Sequence, residues 1–302
     1  MKRALMICGV VASLAPVAAS QSARPPAALL TYSATPARGL CLARADGTRR
    51  LRLTPRMDDR GAAWTRDGRL VAFVRTTAGQ SRIVIADARG RIVRRFEPAT
   101  AVADPTWAPD GRRLAYSAGS PVPRIVIASR EGQVLSTLPT GRNAATAPAW
   151  SPNGREIAYT DRLDLDQQRT ITRIYAIGVE GTGKRLIASQ AADPAWAPDG
   201  SRLAYVALES PVSETGHVSV VAATGASPRR ITTGNEAESS PSWSPRGQLV
   251  TFTRGVGAAS SIFSVRPDGT RERLLVRSRV YGAEDPVWRS AVALPRARRA
   301  AC

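Results

Sequence analysis

Six tryptophans recur along the chain at nearly constant spacing. They are Trp64, Trp107, Trp150, Trp196, Trp243 and Trp288, separated by 43, 43, 46, 47 and 45 residues. Only 6 Tyr and 4 Phe accompany them in a chain of 302 residues, so the aromatic residues are concentrated at these positions. A period in the forties indicates a repeat architecture, in which each repeat is one unit of supersecondary structure. The chain is therefore expected to fold as an array of six similar units.

The sequence after each of the first five tryptophans predicts a β-hairpin. These segments read AAWTRDGRLVAF, PTWAPDGRRLAY, PAWSPNGREIAY, PAWAPDGSRLAY and PSWSPRGQLVTF. Pro presets φ early in a turn, Asp or Asn tolerates turn geometry, and Gly supplies a positive φ. The apolar run that ends in Phe or Tyr suits a strand. Two more short runs, separated by a glycine turn, bring each repeat to four antiparallel strands.

The sixth repeat is divided between the two ends of the chain. Trp288 has no strand pair after it, whereas segments 30–34, 40–42 and 49–54 predict three strands that lack a tryptophan strand. A blade built from both ends closes a ring and leaves no open edge. We therefore predict an all-β, six-bladed β-propeller, closed by the Trp288 strand joining the N-terminal strands. A linear solenoid would instead need capping repeats.

The repeated motif P-x-W-[SA]-P-[DN]-G-x-x-[LI]-[AV]-[FY] resembles the WD40-like (PD40) repeat of TolB-type propellers. The resemblance covers nearly all of residues 28–290, with departures at Thr65-Arg66 and at Arg246, where Ser-Pro and Asp are expected. It implies a periplasmic protein–protein interaction at the mouth of the propeller channel. TolB itself carries an additional α/β domain before its propeller. We expect no such domain here, which puts a direct role in the Tol–Pal system in doubt.

The first 20 residues have the pattern of a cleavable export signal. Two basic residues precede an apolar stretch, and small residues stand before Gln21. The expected organisation is a signal peptide (1–20), a linker (21–27), the propeller (28–290) and a basic C-terminal tail (291–302). No later segment offers about 18 uninterrupted apolar residues, so no transmembrane segment is predicted. The mature product is expected to be a periplasmic or secreted monomer.

Two cysteines, Cys41 and Cys302, lie near the two ends of the mature chain. Exported proteins meet oxidising conditions, which permit a disulfide. A Cys41–Cys302 bridge would join the two ends. The alternative is a pair of free thiols, one a small core residue and the other on a frayed tail.

The chain has a net charge of +19, and only two of its 43 basic residues are lysines, Lys2 and Lys184. The arginine excess matches the codon bias of a GC-rich genome, and it also suits an anionic partner. Nine arginines are expected in the outermost strands of the blades: Arg49, Arg50, Arg52, Arg94, Arg95, Arg229, Arg230, Arg271 and Arg273. Charge on an outer strand prevents edge-to-edge pairing, and it could also attract an anionic polymer of the envelope.

The motifs of several function classes are missing from the sequence. Most aromatic residues are assigned to packing between blades, and no helical reader is predicted, so specific nucleic-acid binding is not expected. There is no Gly-x-Ser-x-Gly elbow. The glycine loop 178–184 is followed by Arg185 where a phosphate-binding loop has Ser or Thr. His217 is the only histidine. We therefore predict neither catalytic residues nor an organic cofactor.

Acidic residues recur just before the tryptophans. Asp104, Asp193 and Asp285 each stand three residues before a Trp, and other acids lie near equivalent positions: Asp58, Asp59, Glu236, Glu238 and Glu284. If the tryptophan strands line the channel, these eight residues surround one mouth. There they could hold a basic peptide, or a cation such as Ca²⁺, which prefers oxygen ligands. The alternative is that each Asp-Pro pair only shapes a turn.

These observations predict a non-enzymatic, exported propeller that acts as a protein- or ligand-binding scaffold in the cell envelope. The partner is expected to be an envelope protein or peptide. The rival prediction is a carbohydrate- or peptide-processing enzyme that uses carboxylates at the channel mouth.

Overall fold

The structure of the protein is a computed structural model. It describes residues 28–35, 39–55, 58–97, 100–166, 169–210, 215–277 and 282–290. These residues form 24 strands in six four-stranded antiparallel sheets, together with a single 3-10 turn at Gly257–Ala259. The prediction of an all-β, six-bladed propeller is confirmed. No helix in these ranges has the length and apolar character needed to span a bilayer.

The strands are numbered in chain order. The first eight are β1 (Leu29–Thr35), β2 (Leu40–Arg44), β3 (Leu51–Arg52), β4 (Asp58–Trp64), β5 (Leu70–Thr77), β6 (Gln80–Asp87), β7 (Ile92–Arg95) and β8 (Val102–Trp107). The next eight are β9 (Arg113–Ala118), β10 (Arg124–Ser129), β11 (Val134–Thr137), β12 (Ala144–Trp150), β13 (Glu156–Asp164), β14 (Thr170–Gly178), β15 (Arg185–Ser189) and β16 (Ala191–Trp196). The last eight are β17 (Arg202–Leu208), β18 (Gly216–Ala222), β19 (Arg229–Arg230), β20 (Glu238–Trp243), β21 (Val250–Arg254), β22 (Ser261–Val265), β23 (Arg273–Val276) and β24 (Gly282–Arg289).

Each sheet is one blade, and each blade has one tryptophan strand at its inner edge. Blades 1 to 5 are β4–β7, β8–β11, β12–β15, β16–β19 and β20–β23, and blade 6 is β24 with β1–β3. Within a blade, consecutive strands are neighbours, as expected for short hairpin connections. The fourth strand of each blade lies at its outer edge.

The turn after the tryptophan strand has the hydrogen bonds and backbone angles that its residues predict. In blade 2 the Gly111 N–H donates to the Ala108 carbonyl at 3.0 Å, and the Arg112 N–H donates to Asp110 Oδ1 at 2.7 Å. Gly111 has a φ of +64°, which a residue without Cβ adopts at little cost. The turn therefore directs the chain back into β9.

The hydrophobic core lies between the blades. Trp107 of blade 2 packs with Ile83 and Ile85 of blade 1, and with Leu114 and Tyr116 of its own blade. Equivalent clusters occupy the other contacts between blades. Each aromatic ring buries a large area there. The same kind of contact therefore recurs between neighbouring blades around the ring.

Several tryptophans also reach the preceding blade through the indole N–H. Trp107, Trp196 and Trp243 donate to the carbonyls of Ala63, Ala149 and Ala195 at 3.1, 3.2 and 3.1 Å. In blade 1 the donor is Trp64 and the acceptor is Thr31 Oγ1 of blade 6, at 2.8 Å. Each of these bonds ties a buried N–H to the neighbouring blade.

Blade 6 contains both ends of the described chain. β24 pairs antiparallel with β1, with Leu30 opposite Trp288. Arg289 is fully buried, and its Nε donates to the Gly68 carbonyl of blade 1 at 2.9 Å. Its guanidinium carbon also lies 4.5 Å from the centre of the Trp64 ring. The last strand therefore holds the first strands and the next blade together.

Cys41 is fully buried on β2 and is disulfide-bonded. Cys302 lies outside the described residues, and its pairing with Cys41 stays a prediction. The proposed signal peptide 1–20, the linker 21–27 and the basic tail 291–302 lie outside them as well.

The closing blade offers a direct test of the architecture. We expect Leu30→Ala to lower the free energy of unfolding by about 2–5 kcal/mol, because it removes a fully buried side chain between β1 and β24. Urea titration followed by tryptophan fluorescence measures the change. Val93→Ala is the matched control. Val93 is 58% exposed on β7, so its loss is expected to cost only about 0.5 kcal/mol. Equal losses for the two variants would contradict the closure.

Candidate functional site

One end of the central channel is a cavity of about 360 Å³ that six equivalent residues help to line. These residues stand three positions before the tryptophans: Gly61, Asp104, Ala147, Asp193, Ser240 and Asp285. Acidic residues alternate with small ones around this ring, because the acids belong to blades 2, 4 and 6. The three carboxylates therefore face a common space at regular intervals.

A shared backbone distortion places these six side chains. All six have left-handed φ angles, between +46° and +60°. In each tryptophan strand the register with its neighbour shifts at this point. A β-bulge of this kind re-aims side chains, and Asp adopts a left-handed conformation more readily than most residues. The bulge thus explains how an inner strand presents a carboxylate to the channel.

Each of the three carboxylates also accepts a hydrogen bond from the following blade. Asp104 Oδ2 accepts the Ala147 N–H at 3.1 Å, and Asp193 Oδ2 accepts the Ser240 N–H at 3.2 Å. Asp285 Oδ2 accepts the Gly61 N–H at 3.4 Å, from the blade that follows around the ring. The acids therefore join blades 2 and 3, 4 and 5, and 6 and 1.

Three hydroxyl groups add to this network. Ser117 Oγ donates to Asp104 Oδ2 at 2.9 Å. Ser33 and Ser240 donate to the two oxygens of Asp285, at 3.3 and 3.0 Å. The ring is thus a polar network that joins neighbouring blades.

The electrostatics of the ring favour a positive charge in the cavity. The pKa of Asp193 is raised to about 6, mainly by burial and also by the nearby charges of Asp104 and Asp285, against the opposing hydrogen bond from the Ser240 N–H. Burial likewise raises the pKa of Asp104, and Asp285 adds to the effect. Enclosed carboxylates that repel one another are stabilised by any cation that enters between them.

The other five predicted acids do not line this cavity. Asp59 is buried and forms a two-pronged ion pair with Arg75, with contacts of 2.6 and 2.8 Å. Glu238 is also buried and accepts from Arg254 Nε at 2.9 Å. These two carboxylates pair with the partly buried Arg75 and the buried Arg254 within their blades, so they are unavailable to a ligand.

The remaining three acids lie nearer the surface. Asp58 binds Arg60 at 2.6 Å, and Glu236 is exposed. Glu284 is half-buried and accepts the Ser260 hydroxyl at 3.2 Å. Burial, aided by the charge of Asp285, raises the pKa of Glu284. The structure therefore separates the eight predicted residues into a ring of three and five acids outside it.

Among the residues that the structure describes, no three His, Cys, Asp or Glu side chains cluster closely enough to hold a metal ion. The carboxylates of the ring are spread around the channel rather than gathered at one point. The predicted Ca²⁺ site stays a prediction. The single histidine, His217, does not contribute to the channel, since its Nε2 lies 2.7 Å from Glu209 Oε1.

The opposite end of the channel has a different chemistry. A second cavity of about 300 Å³ is lined by all six tryptophans and by Pro109, Pro152, Pro198 and Pro245. The channel therefore has an acidic end and an end lined by tryptophan and proline side chains together with Arg66. Sequence reasoning missed the alternation of acids with small residues around the ring. The residues three positions before each tryptophan carried that signal.

Comparison with known proteins agrees with this architecture. The model of the TolB beta propeller domain family matches residues 122–290, more than half of the chain. The chain belongs to the TolB beta-propeller family. It is 44% identical over 48 residues to the Tol-Pal system protein TolB of Wolbachia pipientis, a match that covers 16% of this chain and 12% of that protein.

Solved structures with the same fold include TolB and an enzyme. TolB from Acinetobacter baumannii superposes with a TM-score of 0.69 at 22% identity, covering 87% of this chain and 66% of that one. Oligogalacturonate lyase from Vibrio parahaemolyticus superposes with a TM-score of 0.52 at 14% identity, covering 84% of this chain and 75% of the lyase. This TolB-family chain thus spans only part of each relative's length.

The enclosed state of Asp193 predicts a specific pH dependence. At about pH 3, Asp193 is largely protonated in both the unfolded and the folded chain, so wild type and Asp193→Asn should be equally stable. Between about pH 4 and pH 6 the unfolded chain ionises Asp193 while the folded chain keeps this carboxyl protonated, because its pKa is raised to about 6. The stability of wild type should therefore fall below that of the variant across this range, by about 3 kcal/mol, and the difference should stay constant at higher pH. Urea titrations across the pH range measure the difference.

Asp199→Asn provides the matched control for this prediction. The amide and hydroxyl of Ser201 hold the pKa of Asp199 below its usual range. This variant should therefore be slightly less stable than wild type at neutral pH, with the difference disappearing in acid. If Asp193→Asn behaves like Asp199→Asn, the carboxyl of Asp193 is not enclosed as described.

Proposed function

We propose that this TolB-family propeller is an exported, non-enzymatic binding scaffold of the cell envelope, whose acidic channel end holds a protein partner or ligand. The observation that carries the proposal is the alternating ring of Asp104, Asp193 and Asp285 around a cavity of about 360 Å³. Cavities of this size suit a side chain or a small ligand. The similarity to TolB, a protein of the Tol-Pal system by name, supports an envelope role.

The chemistry of the ring suggests what the ligand presents. A Lys or Arg side chain at the end of a partner segment would reach carboxylates that are already partly desolvated, where charge-assisted hydrogen bonds are strong. A bound cation would serve the same purpose; because the three carboxylates are spread around the channel, Ca²⁺ would be held partly through water molecules, which it accepts as ligands alongside carboxylate oxygens. In both cases the carboxylates act by charge and position rather than by chemical reaction.

Export is supported by the sequence of the first 20 residues. The mature chain is then expected to begin at Gln21 and to work as a monomer in the periplasm or outside the cell. An oxidising compartment also suits the disulfide that Cys41 forms.

The cation version of the proposal makes a calorimetric prediction. We expect the protein to bind Ca²⁺ with measurable heat, and the Asp104→Asn, Asp193→Asn, Asp285→Asn triple variant to lose that heat. The substitutions remove charge but keep an oxygen acceptor for the inter-blade amides. Asp58→Asn, Asp199→Asn, Asp268→Asn is the control, since it removes three surface charges outside the cavity. Equal heats for the two triple variants would rule out a cation in the ring.

Partner capture tests the scaffold version. Purified protein is cross-linked in an extract of envelope proteins from the source cell, in parallel with the ring triple variant and with Arg229→Ser, Arg230→Ser. We expect one recurrent protein to be captured by wild type and by the arginine variant, and at least tenfold less by the ring variant. Both substituted arginines lie on the exposed strand β19, so this control keeps the channel intact.

Other capture results would indicate a different function. Loss of the partner in the arginine variant alone would move binding to the rim and favour an anionic polymer or acidic partner.

The second candidate function, a carbohydrate- or peptide-processing enzyme, is favoured by the raised pKa of Asp193, about 6, which suits a proton-transfer group. Product release from polygalacturonate or peptide mixtures, abolished by Asp193→Asn, would support that enzyme and contradict the scaffold.

A further inference from the structure

The outer strand of blade 2 differs from the other five outer strands. Each of those five contains at least one arginine: β3, β7, β15, β19 and β23. Strand β11 (Val134–Thr137) has no charged residue, and all four of its residues are exposed. Val134 and Leu135 expose 57% and 50% of their surface. Charge protects an outer strand from pairing with another chain, and β11 alone lacks this protection.

The backbone of β11 offers hydrogen-bonding groups along the rim. The Leu138 N–H donates to the Ile125 carbonyl at 2.9 Å, which makes these two residues a hydrogen-bonded pair. Such pairs alternate along an antiparallel ladder. Thr137, opposite Val126, is therefore a non-bonded position whose N–H and C=O point away from β10. An added strand could pair with these groups.

A cavity of about 350 Å³ lies beside β11, at the junction of blades 1 and 2. Phe96 of blade 1 and Tyr116 and Val126 of blade 2 line it, together with Val134 and Thr137 of β11 itself. Val134 lies opposite Ala128 in the sheet, and Thr137 opposite Val126, so both share the face that packs toward blade 1. The edge and the cavity therefore form one continuous surface.

The charge next to this surface is positive. Arg94 lies opposite Ile85, a residue that packs against blade 2, so Arg94 is on the side of β7 that faces the cavity. It is exposed and makes no ion pair within the described part of the chain. Glu97 also lines the cavity, but Arg82 binds it at 2.7 Å and balances its charge.

We propose that β11 and the adjoining cavity bind an extended peptide segment of a partner protein, which adds a fifth strand to blade 2. An apolar side chain of the segment fills the cavity, and an acidic side chain two positions along the segment, on the same face, pairs with Arg94. Main-chain hydrogen bonds supply affinity in this mode of recognition, and the side-chain pocket supplies specificity. This surface is separate from the acidic channel end and selects the opposite charge.

The charge of the chain favours such a peptide over a second copy of the protein. Two copies that each carry a net charge of +19 repel one another. A four-residue strand contributes few hydrogen bonds to offset that repulsion. An acidic segment is instead attracted, and it needs only the length of one short strand.

Fluorescence anisotropy of a labelled synthetic peptide tests the proposal. The probe is a capped six-residue peptide with glutamate, phenylalanine and glutamate at its first, third and fifth positions, which share one face of a strand, and with threonine between them. We expect Val134→Arg to weaken its binding at least tenfold, because the variant places on β11 the charge that the other outer strands carry. Leu186→Arg is the matched control: Leu186 is 47% exposed on β15 of blade 3, and its variant should bind like wild type.

Two further probes separate the contributions. A peptide with lysine in place of glutamate should bind at least tenfold more weakly, and Arg94→Ser should reduce this preference. Equal binding by wild type and Val134→Arg, or no binding of the acidic probe to wild type, would overturn the proposal. Sedimentation that detects a dimer which Val134→Arg abolishes would overturn it too, in favour of a second copy. Circular dichroism of each variant verifies the fold.

Discussion

Contact between neighbouring blades is the interaction on which this protein depends. A four-stranded sheet has too little apolar surface to be stable alone, and each blade gains stability by covering the tryptophan strand of its neighbour. Trp107 illustrates the contact, since its ring packs on Ile83 and Ile85 while its N–H reaches the carbonyl of Ala63. Because a ring has no terminal repeat to be capped, its closure depends on the pairing of β24 with β1 inside blade 6.

The acidic channel end uses the same contact between blades. The carboxylate of Asp104 binds the amide of Ala147, so a residue that could hold a ligand also joins two blades. Ala147 accepts a φ of +46° there, which costs a residue with a Cβ about 1–2 kcal/mol. The two interpretations of the Asp-Pro pairs, as turn formers and as a binding ring, are therefore compatible. A ligand that enters the ring acts on groups that also set the spacing of the blades.

The sequence predicts the fold well because the fold is repeated. A single tryptophan strand is weak evidence, but six at similar spacing leave few alternatives to a ring. The position of Asp104, Asp193 and Asp285 within the repeat also placed them in the channel. The ion pairs that Asp59 and Glu238 form inside their blades could not be predicted in this way. Their partners, Arg75 and Arg254, are 16 residues away, and cross-strand register decides which side chains meet.

On this TolB-family propeller, positive and negative charges lie at different distances from the channel axis. Arginines occupy five of the six outer strands, and the ring of acids lies at the channel. A partner with both an acidic extended segment and a basic tip would first be attracted by the rim, because long-range steering follows the net charge of +19. Its basic tip would then be rejected by the rim and accepted only by the channel. Opposite signs at the two surfaces thus fix the orientation of such a partner, which neither surface could do alone.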